Sequence, residues 1–557
     1  MKPNTKSRRR ARAPMWSGVN AHPRPAAQPG SAVAAPVDAT WWETPSSPID
    51  ARPDEALRDQ AFGTERRRDE GPRDETGQDG ERQDDARREP GALHSLTRAE
   101  QNRQLWAYET RVKGAFAQIA PTLRAIAARQ HAPDFERSAQ ESARAALGFA
   151  LPDDALADAW VDRLDMRALF AHATFETFRA MSTDYFTADP LETQPQAQDF
   201  HDFLLRCGFH AMNVTPCADG RLAHTISYVL RLPMGTVQRR SSAGALFDVE
   251  EALQRWEAVE LRRFREGLPN LADAPTRYLK VAAYHYSSRD PDHQGCAAHG
   301  SDTRAAASAG LAQLRAFRLA VENTHCCGAS IATLLIGIDT DTDRLRIHLP
   351  NDAGEPDLDR LIDAGGLYRT TVQLDPESAR ARIREAIAQP RDGGPAPQPG
   401  LQDLMARLIE NNLSQIDYVR TYAGEHYPDA GHQERFIGVG TDFEEVHLRN
   451  LTYFAFMRTL EEGAHNLDVG IEIFRRLNVA HGLPIPIVLR FHYRGQVPGA
   501  RERAVQRCAR VAEAILKRYP DLAERGLIQT YWTLRDTSRA GPIDCVGSSL
   551  PSTWREA

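Results

Sequence analysis

One region of the chain gathers soft metal ligands together with an acid, a base and glycine. Cys217-Ala-Asp219-Gly-Arg221 is followed at a distance by His285 and then by Gly295-Cys296. Two thiolates and an imidazole make a Cys2His set, which Zn2+ accepts tetrahedrally while a fourth position stays open to water. An open position implies catalysis; a structural ion would need a fourth ligand, and no fourth cysteine stands near the cluster. Asp219 and Arg221 lie two apart on a glycine-containing loop beside the first thiolate. An arginine can hold a carboxylate bidentately and ionised, leaving one oxygen to take a proton from a water in the open position and to orient the hydroxide that results. Cys296 comes shortly before Ser301-Asp302, a helix-capping pair, so a helix N-terminus is expected to help keep its thiolate ionised.

Neighbouring histidines and cysteines compete for the same role. Cys296-Ala-Ala-His299 and His325-Cys326-Cys327 are metal-like, and His293 is nearby. Adjacent side chains point in different directions in helix or strand, so Cys326 and Cys327 are read as packing. His293 and His299 are read as polar loop residues, either of which titrates in the range a proton relay needs.

The ligands must come from separate strand ends, as a site at the carboxyl edge of an α/β sheet requires. With 557 residues, the chain should hold about three folded units. Residues 1–95 are rich in Pro, Ala, Gly and Ser and then in mixed charge, a composition that cannot offset the entropy of ordering; a disordered tail is expected. Its cluster Lys6, Arg8, Arg9, Arg10 and Arg12, with Trp16 and the pair Trp41-Trp42, suits a short motif for a partner protein. Thr97-Arg98-Ala99-Glu100 has the capping-box pattern and should start a helix. Leu105, Tyr108, Val112, Phe116 and Ile119 then line one face at spacings of three and four, with Pro121 expected to kink or break the helix.

Residues 96–192 thus read as an all-helical domain. An α/β pattern follows over 193–430, with Gly208 ending a helix, a buried strand at Tyr278 to Tyr286 and an exposed loop at 389–399. Residues 431–557 read as a diverged second copy. YHYSSRDPDH at 284–293 matches FHYRGQVPGA at 491–500, and IATLLIGIDTDTDR at 331–344 matches IQTYWTLRDTSRA at 528–540, in the same order. In that copy His492 stands where His285 stands, Gly440-Thr441-Asp442 replaces the Cys217 loop, and Cys508 falls on an apolar helix face. The copy should be metal-free.

Charge and composition exclude other classes. A net charge of -7, from 69 Lys+Arg against 76 Asp+Glu, gives no global basic field for nucleic acid. The longest aliphatic block, Ile331 to Ile338, is strand-sized, far below the roughly 20 residues of a membrane span. The basic start lacks the apolar segment of an export signal, and seven scattered cysteines make no disulfide framework, so a reducing, cytoplasmic setting is expected.

Cys-x-Asp-x-Arg with a distant His and Cys resembles the β-class carbonic anhydrases. The form is similar to the carboxysomal shell branch of that family. Ordinary β-class enzymes place the His and second Cys close together as His-x-x-Cys, whereas here YSSRDPDHQG separates His285 from Cys296. That spacing, and the order of helical domain, catalytic domain and degenerate copy over 96–557, fit the carboxysomal branch. The resemblance implies Cys217, His285 and Cys296 as ligands of one Zn2+ per chain, with Asp219 and Arg221 as the catalytic dyad. It further implies interconversion of CO2 and bicarbonate inside the carboxysome, supply of CO2 to Rubisco, a homodimer or higher homo-oligomer, and Rubisco or shell proteins as partners of the tail. Two other readings of the residues stay open: another Cys2His zinc hydrolase or deaminase, although the deaminase signature H-x-E with P-C-x-x-C is absent, and a scaffold with a structural zinc.

Overall fold

The computed structural model describes residues 93–555 apart from 158, 160–162, 189–193, 234–235, 269, 272, 325–329, 391–393, 429–430, 442, 458 and 540. The readings made for residues 1–92 and for His325-Cys326-Cys327 lie outside the described residues. Within 93–95, which we placed with the tail, His94 is buried: its amide donates to Asp417 Oδ2 at 2.8 Å, and its Nε2 lies 2.9 Å from Thr371 Oγ1.

The helical region comprises α1 (Ala99–Ala127), α2 (Phe135–Leu147), α3 (Asp153–Ala157) and α4 (Met166–Ala188). The apolar stripe of α1 is buried as its spacing requires. Two local expectations fail. Thr97 does not cap the helix: its hydroxyl donates to the carboxylate of Asp417, while Glu100 pairs with Arg103. A buried carboxylate is a stronger acceptor partner than a solvated box, so the tertiary contact wins. Nor does Pro121 break the helix, which continues for six residues beyond it.

The next unit begins with α5 (Gln194–Arg206). Gly208, at φ +83°, ends it by donating to Leu205 O at 2.8 Å, and the Phe209 amide bonds Leu204 O at 2.9 Å. Then come β1 (Ala211–Pro216), β2 (Gln238–Arg239), α6 (Val249–Arg265), β3 (Arg277–Tyr286), α7 (Thr303–Thr324), β4 (Ser330–Asp339), β5 (Leu345–Pro350) and β6 (Pro356–Asp363). They form one sheet of order β2-β1-β3-β4-β5-β6, parallel through β4 and antiparallel after it. β3 and β4 are almost wholly buried, as central parallel strands should be, and β4 reads as an apolar run; β3 also buries Lys280, whose Nζ donates to Thr215 Oγ1 at 2.9 Å. Helices α8 (Ala364–Thr371), α9 (Pro376–Ala388) and α10 (Pro399–Tyr422) lead out of this unit.

The last unit holds β7 (Phe436–Gly440), β8 (Thr452–Phe456), α11 (Leu460–Leu477), β9 (Ile485–Tyr493), α12 (Ala500–Arg518), α13 (Pro520–Ala523), β10 (Ile528–Asp536) and β11 (Asp544–Ser548). Its sheet has the order β11-β10-β9-β7-β8, parallel except for β11. The repeat read from the sequence is visible in the hydrogen bonds. The Cys217 amide donates to Ala283 O at 3.3 Å, and the Thr441 amide donates to Arg490 O at 3.1 Å; Ala283 and Arg490 each stand two residues before the matching histidine. The Thr340 amide reaches Tyr286 O at 2.8 Å, and the Thr537 amide reaches Tyr493 O at 2.9 Å. Helices α1 and α4 pack on this second sheet, Phe175 stacking on Tyr531 with centroids 5.0 Å apart and Phe178 meeting Phe436 edge-on. Cys508 lies buried on α12.

Candidate metal centre

The carboxyl edge of the first sheet brings the three soft donors together. Cys217 follows the last residue of β1, His285 is the penultimate residue of β3, and Cys296 heads a single 3-10 turn at the end of the loop leaving β3. Their ligating atoms lie within 4.8 Å of one another, and all three side chains are buried. His285 is 1% exposed, yet neither ring nitrogen makes a hydrogen bond. Leaving a buried polar group unpaired costs about 1–3 kcal/mol, so an imidazole facing two sulfurs is arranged for a metal ion. The contact between the two sulfurs sets them apart: the hydrogen bond from Cys296 holds Cys217 well below the usual thiol range against its burial, and the same contact, added to by burial, pushes Cys296 up.

Beside the donors lies the dyad. Arg221 Nη2 is 2.7 Å from Asp219 Oδ2, its Nε is 3.0 Å from Oδ1, and its backbone amide donates to Oδ1 at 2.9 Å. Burial alone would raise the Asp219 pKa; the Arg221 guanidinium, with His432 and His285, outweighs it and holds the carboxyl well below its usual range. Asp219 Oδ2 is 3.6 Å from His285 Nε2, so the carboxylate faces the donor set. Arg221 also donates to Gln294 O at 2.6 Å and Gly295 O at 3.3 Å, tying the Cys217 loop to the segment that carries Cys296. The other end of that segment is held by two carboxylates: Asp341 Oδ2 accepts from Ser287 Oγ and the Arg289 amide, each at 2.8 Å, and Asp339 accepts from Ser288. His293 and His299 stay out of the donor set, one pairing with Asp290 and the other lying 3.2 Å from Gly244 O. The capping of α7 is by Asp302, which accepts from the Ala305 amide.

The second unit supplies residues that the sequence reading missed. Glu434 Oε1 accepts the Gly220 amide at 3.1 Å and lies 3.0 Å from His432 Nδ1; the Asn450 amide donates to Gly220 O at 2.9 Å. A Cβ at residue 220 would stand 2.4 Å from Glu434 Oε1, so only glycine lets the dyad turn meet its neighbour. Despite burial, Asp219 and Glu434 hold the pKa of His432 up at about 9. Asp219, His432 and Glu434 form a second grouping of metal-type atoms, but the dyad already occupies its carboxylate. Among the described residues no such grouping includes His492. Counting from Thr441, the places of Asp219 and Arg221 hold Phe443 and Glu445, and Glu445 is paired to the buried Arg490 and to Ser182.

Three domain models of one family match the chain in succession between residues 94 and 550. They are described as carboxysome shell carbonic anhydrase: N-terminal over residues 94–186, catalytic domain over 199–432 and C-terminal over 433–550. The chain belongs to the carboxysome shell carbonic anhydrase family. Curated relatives of that name include the protein of Parasynechococcus marenigrum, 54% identical over 83% of this chain and 80% of the relative, and that of Prochlorococcus marinus, 53% identical over 84% and 91%. A relative from Halothiobacillus neapolitanus is 44% identical over 82% of this chain and 90% of its own. In this chain the donor set and dyad fall inside the matched catalytic domain. His432 closes that match and Glu434 lies in the C-terminal one.

Proposed function

We propose that the chain interconverts CO2 and bicarbonate inside the carboxysome at one Zn2+ held by Cys217, His285 and Cys296, and that it supplies CO2 to Rubisco. The observation that carries this reading is the buried His285, without a hydrogen bond at either ring nitrogen, beside two thiols and 3.6 Å from an Arg-held carboxylate. The donor set suits Zn2+, which would supply a Lewis acid able to make water nucleophilic near neutral pH. Two thiolate donors temper that effect, so alkaline pH should favour turnover. Asp219 and Arg221 do the rest. Asp219 stays ionised because Arg221 holds it, and its Oδ2 is placed to accept a proton and orient the attacking oxygen toward CO2. Arg221 fixes Asp219 and, through Gln294 and Gly295, the approach to Cys296. No helix among the described residues is long and apolar enough to cross a membrane. The hydrolase, deaminase and scaffold readings gain nothing from the geometry.

The test is CO2 hydration by the purified full chain, followed by stopped flow. Chelation should abolish turnover and Zn2+ should restore it, with about one ion bound per chain. Turnover that persists in metal-free protein would overturn the assignment.

A further inference from the structure

Ten residues separate His285 from Cys296, and within them residues 288–293 lie in no helix or strand and are exposed apart from a half-buried Asp290. Apolar packing therefore does not fix their path. Ordering the backbone of one residue costs about 1–2 kcal/mol, so a loose segment would leave metal binding to carry the ordering of Cys296. The neighbouring strand supplies what packing does not. β4 runs parallel to β3 with Asp339 beside Tyr286, so the chain leaving β4 lies next to the chain leaving β3. Two carboxylates stand there, Asp339 at 2% and Asp341 at 0% exposure, and neither forms an ion pair with a basic side chain among the described residues. Buried carboxylates without a cation are costly unless hydrogen bonds satisfy them.

The segment provides those bonds. Asp341 Oδ2 accepts from Ser287 Oγ and from the Arg289 amide, while Asp339 Oδ1 accepts the Ser288 amide at 3.1 Å and its Oδ2 accepts Ser288 Oγ at 2.7 Å. The chain then closes on itself, the Asp290 amide donating to Ser287 Oγ at 3.0 Å and the Gln294 amide to Asp290 O at 2.9 Å, up to the two carbonyls that accept from Arg221. The anchor is fixed in turn: the Asp341 carbonyl accepts the Tyr427 amide at 2.8 Å, and Arg449 Nη2 donates to Thr340 O at 3.1 Å.

We propose that Asp341, backed by Asp339, is a positioning residue of the metal centre, holding the segment after β3 so that Cys296 already stands beside Cys217 and His285 before an ion arrives. The proposal rests on the ligand reading given above and assigns part of the metal affinity to carboxylates of the adjacent strand. What these bonds order beforehand, the ion need not order. Only one oxygen of Asp341 does this, since its Oδ1 makes no hydrogen bond. Asparagine keeps that acceptor and alanine removes it.

The experiment is metal binding by the apo full chain: Zn2+ titrated against a competing chelator, and Co2+ followed by its thiolate-to-metal absorption, with every variant first shown to be folded by circular dichroism. Asp341→Ala should bind Zn2+ about 10- to 100-fold more weakly than the parent, and its Co2+ complex should lose part of the thiolate absorption. Asp341→Asn should stay within about threefold of the parent, and Ser288→Ala, on the exposed side of the clasp, should lose about threefold to tenfold. A contact that serves stability alone would lower the melting temperature and move neither readout. Parent-like affinity and spectrum in Asp341→Ala, or a loss in Asp341→Asn as large as in Asp341→Ala, would overturn the proposal and leave the ligand assignment standing. If Asp341→Ala does not fold, Ser288→Ala decides, and parent-like binding in it overturns the proposal. A parent chain whose Co2+ complex shows no thiolate absorption would overturn the ligand assignment and the proposal with it.

Discussion

Asp219 and Arg221 illustrate how little local sequence is needed when a pair acts on itself. Their two-residue spacing lets the Arg221 amide and guanidinium close on one carboxylate, so the arrangement is legible from Cys-x-Asp-x-Arg alone. Asp219→Asn keeps the shape and loses the acceptor charge; zinc content should stay near the parent value while CO2 hydration falls about 10²- to 10⁴-fold, the usual worth of a positioned acid-base group. Equal loss of zinc and turnover would make the pair structural. Arg221→Ala removes the largest charge that holds the Asp219 carboxyl low, leaving only His432 and His285 against the burial that pushes it up. Protonated Asp219 cannot accept a proton. The acid limb of the pH-rate profile should therefore move to higher pH in Arg221→Ala, and an unmoved limb would separate Arg221 from the function of Asp219.

At the scale of elements, the dyad turn works because a loop from the other unit closes on it. Glu434 accepts the Gly220 amide, and Asn450 donates to the Gly220 carbonyl. In Glu434→Ala a buried amide loses its acceptor, which costs about 1–3 kcal/mol. A lowered melting temperature with reduced turnover is expected, and Glu434→Gln, which keeps an acceptor oxygen, should recover most of both. No change in either quantity would show that the contact does nothing for the turn. Nothing in the sequence announces Glu434 or His432, because their role depends on the packing of two units far apart in the chain. The same limit explains the failed cap. Thr97 and Glu100 satisfy a local rule, but Asp417 competes for the Thr97 hydroxyl from 320 residues away. By contrast, β3, β4, β9 and β10 were legible from apolar runs and their repetition, since central parallel strands bury both faces.

For the whole molecule, two sheets of like topology differ in what stands at their carboxyl edges: two thiols, an imidazole and a dyad at the first, Thr441, Phe443 and a buried Glu445–Arg490 pair at the second. We expect the second unit to wall the metal site rather than to hold an ion. From the composition of residues 1–90 we expect that their deletion should leave CO2 hydration per chain nearly intact. Capture of an acidic partner such as Rubisco or a shell protein through Arg8, Arg9, Arg10 and Arg12 should weaken with salt and vanish in the deletion; salt-independent capture by the shortened chain would place the contact elsewhere. The central claim, one zinc at Cys217, His285 and Cys296, is tested most directly by counting zinc and measuring CO2 hydration on one preparation of Cys217→Ser. Both should fall together to background, with the fold retained by circular dichroism; a variant that keeps about one zinc per chain and hydrates CO2 at the parent rate would contradict the account.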